Sequence, residues 1–374
     1  MSELVSILSL YFQHPEKAVA LATLVKTIGS TYRRPGARML VLTNGASAGG
    51  ISGGCLERDV VEKAKAACEK GESVVLTYDT SPEEDIVFGT GLGCKGAVHI
   101  LVEQLRLGSS ADELMRFVGK IFQQRCSGVA ATVFRIQGEI PVRLGDRLML
   151  DAEGHVAGQM EDQELQPKML AAASEALAAN RSRTMEFELP GGSVEVFVEV
   201  IHSPAPLVIF GAGYDAIPLS RMAKDAGFHV TVADVRPAYA QTSRFPEADV
   251  VKVVRPEQIA QIGLSPNTAA VIMSHNYSTD CDFLKALLPL NLLYLGLMGP
   301  RARARKMLQE LREAGLQGGD ALFQRIHNPV GLDIGAESPE QIALAILAEI
   351  QAVSADRPGN SLREKTGPIH ARTN

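Results

Sequence analysis

Residues 207–216, Leu207-Val208-Ile209-Phe210-Gly211-Ala212-Gly213-Tyr214-Asp215-Ala216, are a short apolar run that ends in GxGxxA. The run reads as a buried strand, and residues 215–226 read as the helix that it feeds. In that context the glycine pattern is the dinucleotide fingerprint. Gly211 permits the tight turn, Gly213 lets a phosphate approach backbone N–H groups, and Ala216 keeps the helix close to the sheet. Asp215 lies inside the loop. Asp234 comes 21 residues after Gly213, at the end of the next strand, where a carboxylate accepts hydrogen bonds from ribose hydroxyls. Arg236 is placed to take a 2′-phosphate or another anion, or to lie solvated. The alternative for the whole loop is a tight turn that holds no ligand. Pro218 is tolerated in a first helical turn but is no nicotinamide signature.

Toward the C-terminus, apolar strands at 269–273 and 292–297 alternate with helical patterns at 280–288 and 300–314. Strict alternation predicts βαβ units and a parallel sheet. Loops after its strands then border one crevice. They carry His275 and Asn276, the Gly299-Pro300 turn before Arg301, Arg303 and Arg305, and the segments His327-Asn328-Pro329 and 331–335. Arg301 and Arg305 share a face near a helix's positive end, which suits an anion or simply solvent. Ser338, Pro339 and Gln341 form a capping box that starts a last helix with Ile342, Ile346, Leu347 and Ile350 as its buried stripe.

Toward the N-terminus, two prolines within residues 202–206 mark a connector. The division is an N-terminal domain over 1–203, a Rossmann-like domain over 204–356 and a flexible tail over 357–374. The first half mixes strands (18–26, 38–43, 73–78, 97–103, 128–136, 194–201) with helices (55–70, 111–123, 167–179). The fold class is therefore α/β: a C-terminal Rossmann-like parallel sheet beside an N-terminal α/β domain with a mixed sheet. No short-period repeat and no low-complexity segment interrupts it.

Composition limits the function. The 374 residues are 46% hydrophobic and 21% charged, enough for real cores. A net charge of −6 disfavours a nucleic-acid footprint. No apolar run is long enough for a membrane span, and Met1-Ser2-Glu3 begins no signal peptide, so a cytoplasmic location is expected. Five cysteines are too few for a disulfide scaffold.

Glycine is in surplus, at 34 residues. Residues 45–54 (GASAGGISGG) hold five glycines and run into Cys55-Leu56-Glu57, and residues 89–96 (GTGLGCKG) hold four around Cys94. An even spread would put only about two glycines there. Gly53, Gly54 and Gly93 clear backbone around Cys55 and Cys94. Cys55 at the start of a helix favours its thiolate, which is a nucleophile and a soft metal ligand. The alternative is two small residues in crowded turns. The spacing offers no CxxC pair, so structural zinc fits poorly. Residues 29–36 (GSTYRRPG) add Arg33 and Arg34, with Arg38 close behind, for an anion or for the surface.

GSTYRRPGARMLV, GGISGGCLE and GLGCKG together resemble the first domain of XdhC/CoxI proteins. GAGYDAIPL, VADVRPAYA, RFPEAD, SHNYSTD, LGLMGPRARARKML and RIHNPVGLDIGAESPEQIALAILAEI resemble the XdhC Rossmann domain. Residues 107–200 are less distinctive. The resemblance implies a xanthine dehydrogenase accessory factor. Such a chaperone binds the molybdenum cofactor, as molybdopterin or its dinucleotide form, while a cysteine desulfurase-type sulfurase supplies sulfur. It then inserts the cofactor into an apoenzyme of the xanthine dehydrogenase or aldehyde oxidoreductase type. It implies Gly53, Gly54, Cys55, Glu57, Gly93, Cys94 and Arg34 as contacts in the first domain, with Cys55 and Cys94 nearest the metal. In the second it implies Gly211, Gly213, Asp215, Ala216, Asp234, Arg236, His275 and Asn276. Two departures stand out: Lys95 follows Cys94 where the family often has glycine, and Tyr214 stands where it often has histidine.

Two other functions fit a Rossmann domain: an NAD(P)-dependent oxidoreductase with His275 or a cysteine as proton carrier, and a noncatalytic nucleotide-binding scaffold. No compact acid–base pair stands out in the sequence, which favours a protein without turnover of its own. Sequence leaves the oligomeric state open, a homodimer included.

Overall fold

A computed structural model describes residues 2–29, 31–79, 96–158, 160–316 and 323–366 of the chain. These fall into two compact units, Glu3–Ser203 and the chain from Pro204 onward.

The second unit is the parallel sheet read from the sequence. With β1 to β10 lying in the first unit, its strands are β11 (Pro206–Phe210), β12 (His229–Asp234), β13 (Val250–Val253), β14 (Ala269–Ile272), β15 (Tyr294–Leu297) and β16 (Ile326–His327). Every pair is parallel, in the order β13-β12-β11-β14-β15-β16. This is the 3-2-1-4-5-6 order of a Rossmann fold, and the order reverses between β11 and β14. Helices α5 (Ala216–Asp225) and α8 (Pro339–Ser354) cover one face, and α6 (Tyr277–Leu287) and α7 (Arg301–Glu313) the other. Short strands buried on both faces need the continuous apolar runs seen at Leu207–Phe210 and Ala269–Ile272. Ser338 and Gln341 form the anticipated capping box of α8.

The first unit is a duplication. Its order is α1 (Ser2–Gln13), β1 (Ala18–Gly29), β2 (Arg38–Leu42), β3 (Ser47–Gly49), α2 (Glu57–Lys70), β4 (Val74–Asp79) and β5 (Gly96–Gln104). The same order then repeats: α3 (Ser110–Gln124), β6 (Ser127–Gly138), β7 (Arg147–Asp151), β8 (Val156–Ala157), α4 (Leu165–Ala179), β9 (Arg183–Leu189) and β10 (Gly192–His202). The sheets are β3-β2-β1-β5-β4 and β8-β7-β6-β10-β9. Helices and strands mix as the α/β reading requires, and each of these sheets is antiparallel throughout rather than mixed. Helices α1 and α3 share one core with residues of both sheets, α2 packs on the first sheet, and α4 on the second.

From β1 to β3 the two copies run in step at an offset of 109 residues. Thr23 matches Thr132, Gly36 matches Gly145, Arg38 matches Arg147, and Gly49 matches Gly158. The packing is reciprocal. Arg38 pairs with Glu199 of the second copy, and Arg147 pairs with Glu103 of the first, all four being buried. Gly36 and Gly145 have no room for a side chain. A Cβ on Gly36 would lie 2.8 Å from Glu199 Oε1, and one on Gly145 would lie 2.6 Å from Glu103 Oε1. Arg38 is thus a structural cation, not an anion-binding or surface one.

Candidate functional site

In the first unit, the glycine-cysteine segment resolves into three parts. Residues 47–49 are strand β3, and α2 begins only at Glu57, so Cys55 stands two residues ahead of the helix. Gly45 and Gly49 have counterparts in Gly154 and Gly158, and all four adopt positive φ, so they serve the fold of both copies. Gly50, Gly53 and Gly54 belong to the first copy alone. The second copy has Asp162, Gln163 and Glu164 where the first has Gly53, Gly54 and Cys55.

Residues 50–57 are tied together from within. Glu57 Oε1 accepts from Ser52 N–H at 2.8 Å and Ile51 N–H at 3.2 Å. The Ser52 hydroxyl donates to Glu57 Oε2 at 2.5 Å. Ser52 Oγ in turn accepts from the N–H groups of Gly54, Cys55 and Leu56, each at 3.2 Å. Burial works to raise the Glu57 pKa, but the Ser52 hydroxyl and the backbone N–H groups hold it below the usual carboxylate range. The N–H groups of Ile51, Ser52, Gly54, Cys55 and Leu56 are therefore spent on Ser52 and Glu57, and Glu57 is a clamp. What faces outward is the exposed Cys55 thiol, 3.5 Å from Ser52 Oγ, beside Gly54, where a side chain would meet nothing among the described residues. The exposed Tyr32 ring flanks Gly53. Arg33 is held by Glu3 at 2.5 and 2.8 Å, and Arg34 is exposed. Gly93 and Cys94 lie outside the described residues.

In the second unit, the glycine loop sits at the β11/β14 reversal. Gly211 (φ +125°) must be glycine: a Cβ there would come within 2.5 Å of Met273 O at the end of β14. Ala216 is fully buried, as its packing role requires. Asp234 is buried, and all its contacts are internal. It accepts from Ala212 N–H at 2.7 Å, from Arg236 N–H and Nε at 2.9 Å, and from Arg236 Nη2 at 2.8 Å. Burial raises its pKa, and Arg236 with the Ala212 N–H more than reverses this. Arg236 also stacks on Tyr239, 3.7 Å from the ring centroid. Asn276 caps α6 by accepting from Thr279 N–H at 3.0 Å.

Across the same reversal, His275 Nε2 and Asp215 Oδ2 are 2.7 Å apart. His275 holds a left-handed backbone (φ +61°), uncommon for a residue with a side chain. Its ring is 58% exposed, whereas Asp215 is 14% exposed. In the sequence the two residues form no compact acid–base pair, because sixty positions separate them. The parallel sheet brings them together. Nearby, buried Asp280 accepts from Ser274 N–H at 3.0 Å and from Arg303 Nη2 at 2.7 Å, so Arg303 is not a free anion ligand.

Residues 207–350 match the XdhC Rossmann domain, and residues 13–79 and 122–188 match the XdhC and CoxI family. A Bacillus subtilis (strain 168) protein, described as one of the subunits of a probable xanthine dehydrogenase, is 34% identical over 346 residues, 92% of this chain and 96% of that one. The chain belongs to the XdhC and CoxI family. The two stretches matched in the first unit are offset by the same 109 residues as the two copies, so both halves of this XdhC/CoxI domain carry the family pattern. The molybdenum cofactor insertion chaperone PaoD of Escherichia coli K12 is 24% identical, over 90% of this chain and 84% of its own length. A crystal structure described as a xanthine dehydrogenase from Bacillus halodurans is 27% identical, covers 98% of both chains and superposes with a TM-score of 0.75. Among the described residues, no helix of this XdhC protein is long and apolar enough to cross a membrane.

Proposed function

We propose that the chain is a molybdenum-cofactor accessory protein. It holds the molybdopterin cofactor while a sulfurase supplies sulfur, and hands it to an apoenzyme of the xanthine dehydrogenase or aldehyde oxidoreductase type. Family membership supports the general role, as do relatives described as part of a xanthine dehydrogenase and as a cofactor insertion chaperone. The observation that carries it to residues is the difference between the two copies. They share a fold, and among the described residues only the first carries an exposed thiol among bare glycines. The second copy reaches the same fold with Asp162, Gln163 and Glu164 at these positions, so the fold does not call for Gly53, Gly54 and Cys55.

The donor set fits the cofactor. A thiol is a soft partner for a dithiolene-bound metal, and among the described residues nothing occupies the place that a Gly54 side chain would fill. Cys55 makes the metal contact, with Cys94 as second candidate, and Ser52 and Glu57 fix the loop that presents it. When bound, the cofactor supplies the metal centre of the recipient enzyme; the chain itself binds, orients and shields. The oxidoreductase alternative loses ground because Asp234, the ribose acceptor it needs, is spent on Ala212 and Arg236.

Expression with an active cofactor pathway, followed by molybdenum and pterin analysis of the purified chain, tests this. Native chain is expected to retain both, and Cys55→Ala to lose most of the molybdenum. Equal retention by the variant would return Cys55 to a turn residue.

A further inference from the structure

We propose that Asp215 sets the ligand preference of the Rossmann crevice. It makes the glycine loop an acceptor for N–H groups, such as the amino-pyrimidinone edge of a pterin, and closes it to a pyrophosphate. The inference rests on the proposed cofactor role for its choice of ring, and on the geometry of this loop for the rest.

Three parts of a dinucleotide site are each used up by the chain itself. The space that Gly213 should leave for pyrophosphate is filled: a Cβ there would lie 2.9 Å from Asp215 Oδ1 and 3.6 Å from His275 Cδ2. The Ala212 N–H is taken by Asp234 at 2.7 Å. The Asp234 carboxylate, the ribose acceptor in a dinucleotide site, is held by Arg236 through three donors. In addition, Asp215 immediately precedes α5 and makes no capping bond with its side chain. Its negative charge therefore stands where the helix dipole would otherwise attract a phosphate.

The same carboxylate has acceptor capacity left. Among the described residues, Oδ1 is buried without a hydrogen-bond partner, and Oδ2 is engaged only by the exposed His275 ring. A buried acceptor without a donor favours a ligand that brings one. A flat ring carrying neighbouring N–H groups does so by displacing His275. Tyr214, the preceding residue, is 79% exposed and offers an aromatic face to such a ring.

Fluorescence titrations of the full chain with hydroxymethylpterin and with NADH test the preference. Native chain is expected to bind the pterin more tightly than NADH. A pteridine with oxygen in place of the amino group should bind about tenfold more weakly, the worth of one charge-assisted hydrogen bond. Asp215→Asn removes the charge but not the atom beside Gly213 and should weaken the pterin about tenfold; Asp215→Ala removes both and should in addition strengthen NADH about tenfold. His275→Ala frees Oδ2 and should bind the pterin at least as tightly as native; it serves as the third variant, with unfolding midpoints of all three recorded. Tighter NADH than pterin binding by native chain, or unchanged pterin affinity in Asp215→Asn, would overturn the inference. If the chain retains and transfers the molybdenum cofactor while Asp215→Asn changes nothing, this inference alone fails. If the pterin preference holds and no cofactor is retained, the proposed function alone fails.

Discussion

Arg38 on β2 donates to Glu199 on β10 at 2.8 Å, joining the two copies of the N-terminal unit through a buried ion pair. Arg147 and Glu103 make the mirror contact at 2.7 Å. A buried pair is weak evidence for net stability, but breaking one leaves a stranded charge that costs about 3–5 kcal/mol. Arg38→Met and Arg147→Met should each destabilise the chain by about that amount in denaturant unfolding. A loss in only one of them would contradict the equivalence of the copies.

The cysteines should separate by reactivity. Cys55 is exposed, while Cys68, Cys126 and Cys281 are partly buried. Burial pushes each of those three thiols up, further from thiolate at neutral pH. Brief treatment of native chain with iodoacetamide near neutral pH, read by peptide mass spectrometry, should label Cys55 well ahead of these three. Equal labelling would remove the argument that Cys55 is presented.

The Rossmann half was legible because its signals are local. Phe210-Gly211 marks a strand end, Ala216 a helix start, and Ser338 to Gln341 a cap. The duplication was not legible because what it preserves is sparse and distant. Turn glycines, Thr23 with Thr132, and Arg38 with Arg147 recur 109 residues apart, while core residues between them are freely exchanged, as cores tolerate if volume is kept. The same blindness made residues 45–54 look like one ligand loop, although Gly45 and Gly49 are turn glycines common to both copies. Helix α1 and strands β3, β7, β8, β9, β13 and β16 lie outside the elements that the sequence predicts; several are too short or too irregular to show a period. At the sites, contacts between distant residues were the hidden part. Nothing in the sequence shows that Asp234 turns inward to Ala212, or that His275 meets Asp215.

Acid stability should depend on Asp151. It is buried at the end of β7, which opposes its charge, yet Lys120 at 2.8 Å and the backbone and ring of His155 hold its pKa at about 2. A carboxyl held below its unfolded value adds stability that is present above about pH 4 and lost as pH falls toward the folded value. Native chain should therefore lose stability over that interval. Asp151→Asn should start lower at neutral pH and fall less. An identical pH slope in the variant would show that Asp151 is not the group responsible.

Glu57 is expected to act through Cys55 rather than on a ligand. Glu57→Ala removes the acceptor for the Ile51 and Ser52 N–H groups and the Ser52 hydroxyl, so the loop should loosen. Molybdenum retention should fall toward that of Cys55→Ala, whereas Glu57→Gln should recover part of it. Full retention in Glu57→Ala would show that the clamp is unnecessary.

Transfer of cofactor is the most direct measurement. Chain purified with its molybdenum is mixed with cofactor-free xanthine dehydrogenase, and regained activity is followed. Native chain should restore activity. Cys55→Ala, and a variant given the second copy's residues (Gly53→Asp with Cys55→Glu), should fail to restore it while keeping a native-like unfolding midpoint. No bound molybdenum and no regained activity with native chain, or full restoration by the Cys55 variants, would contradict the account.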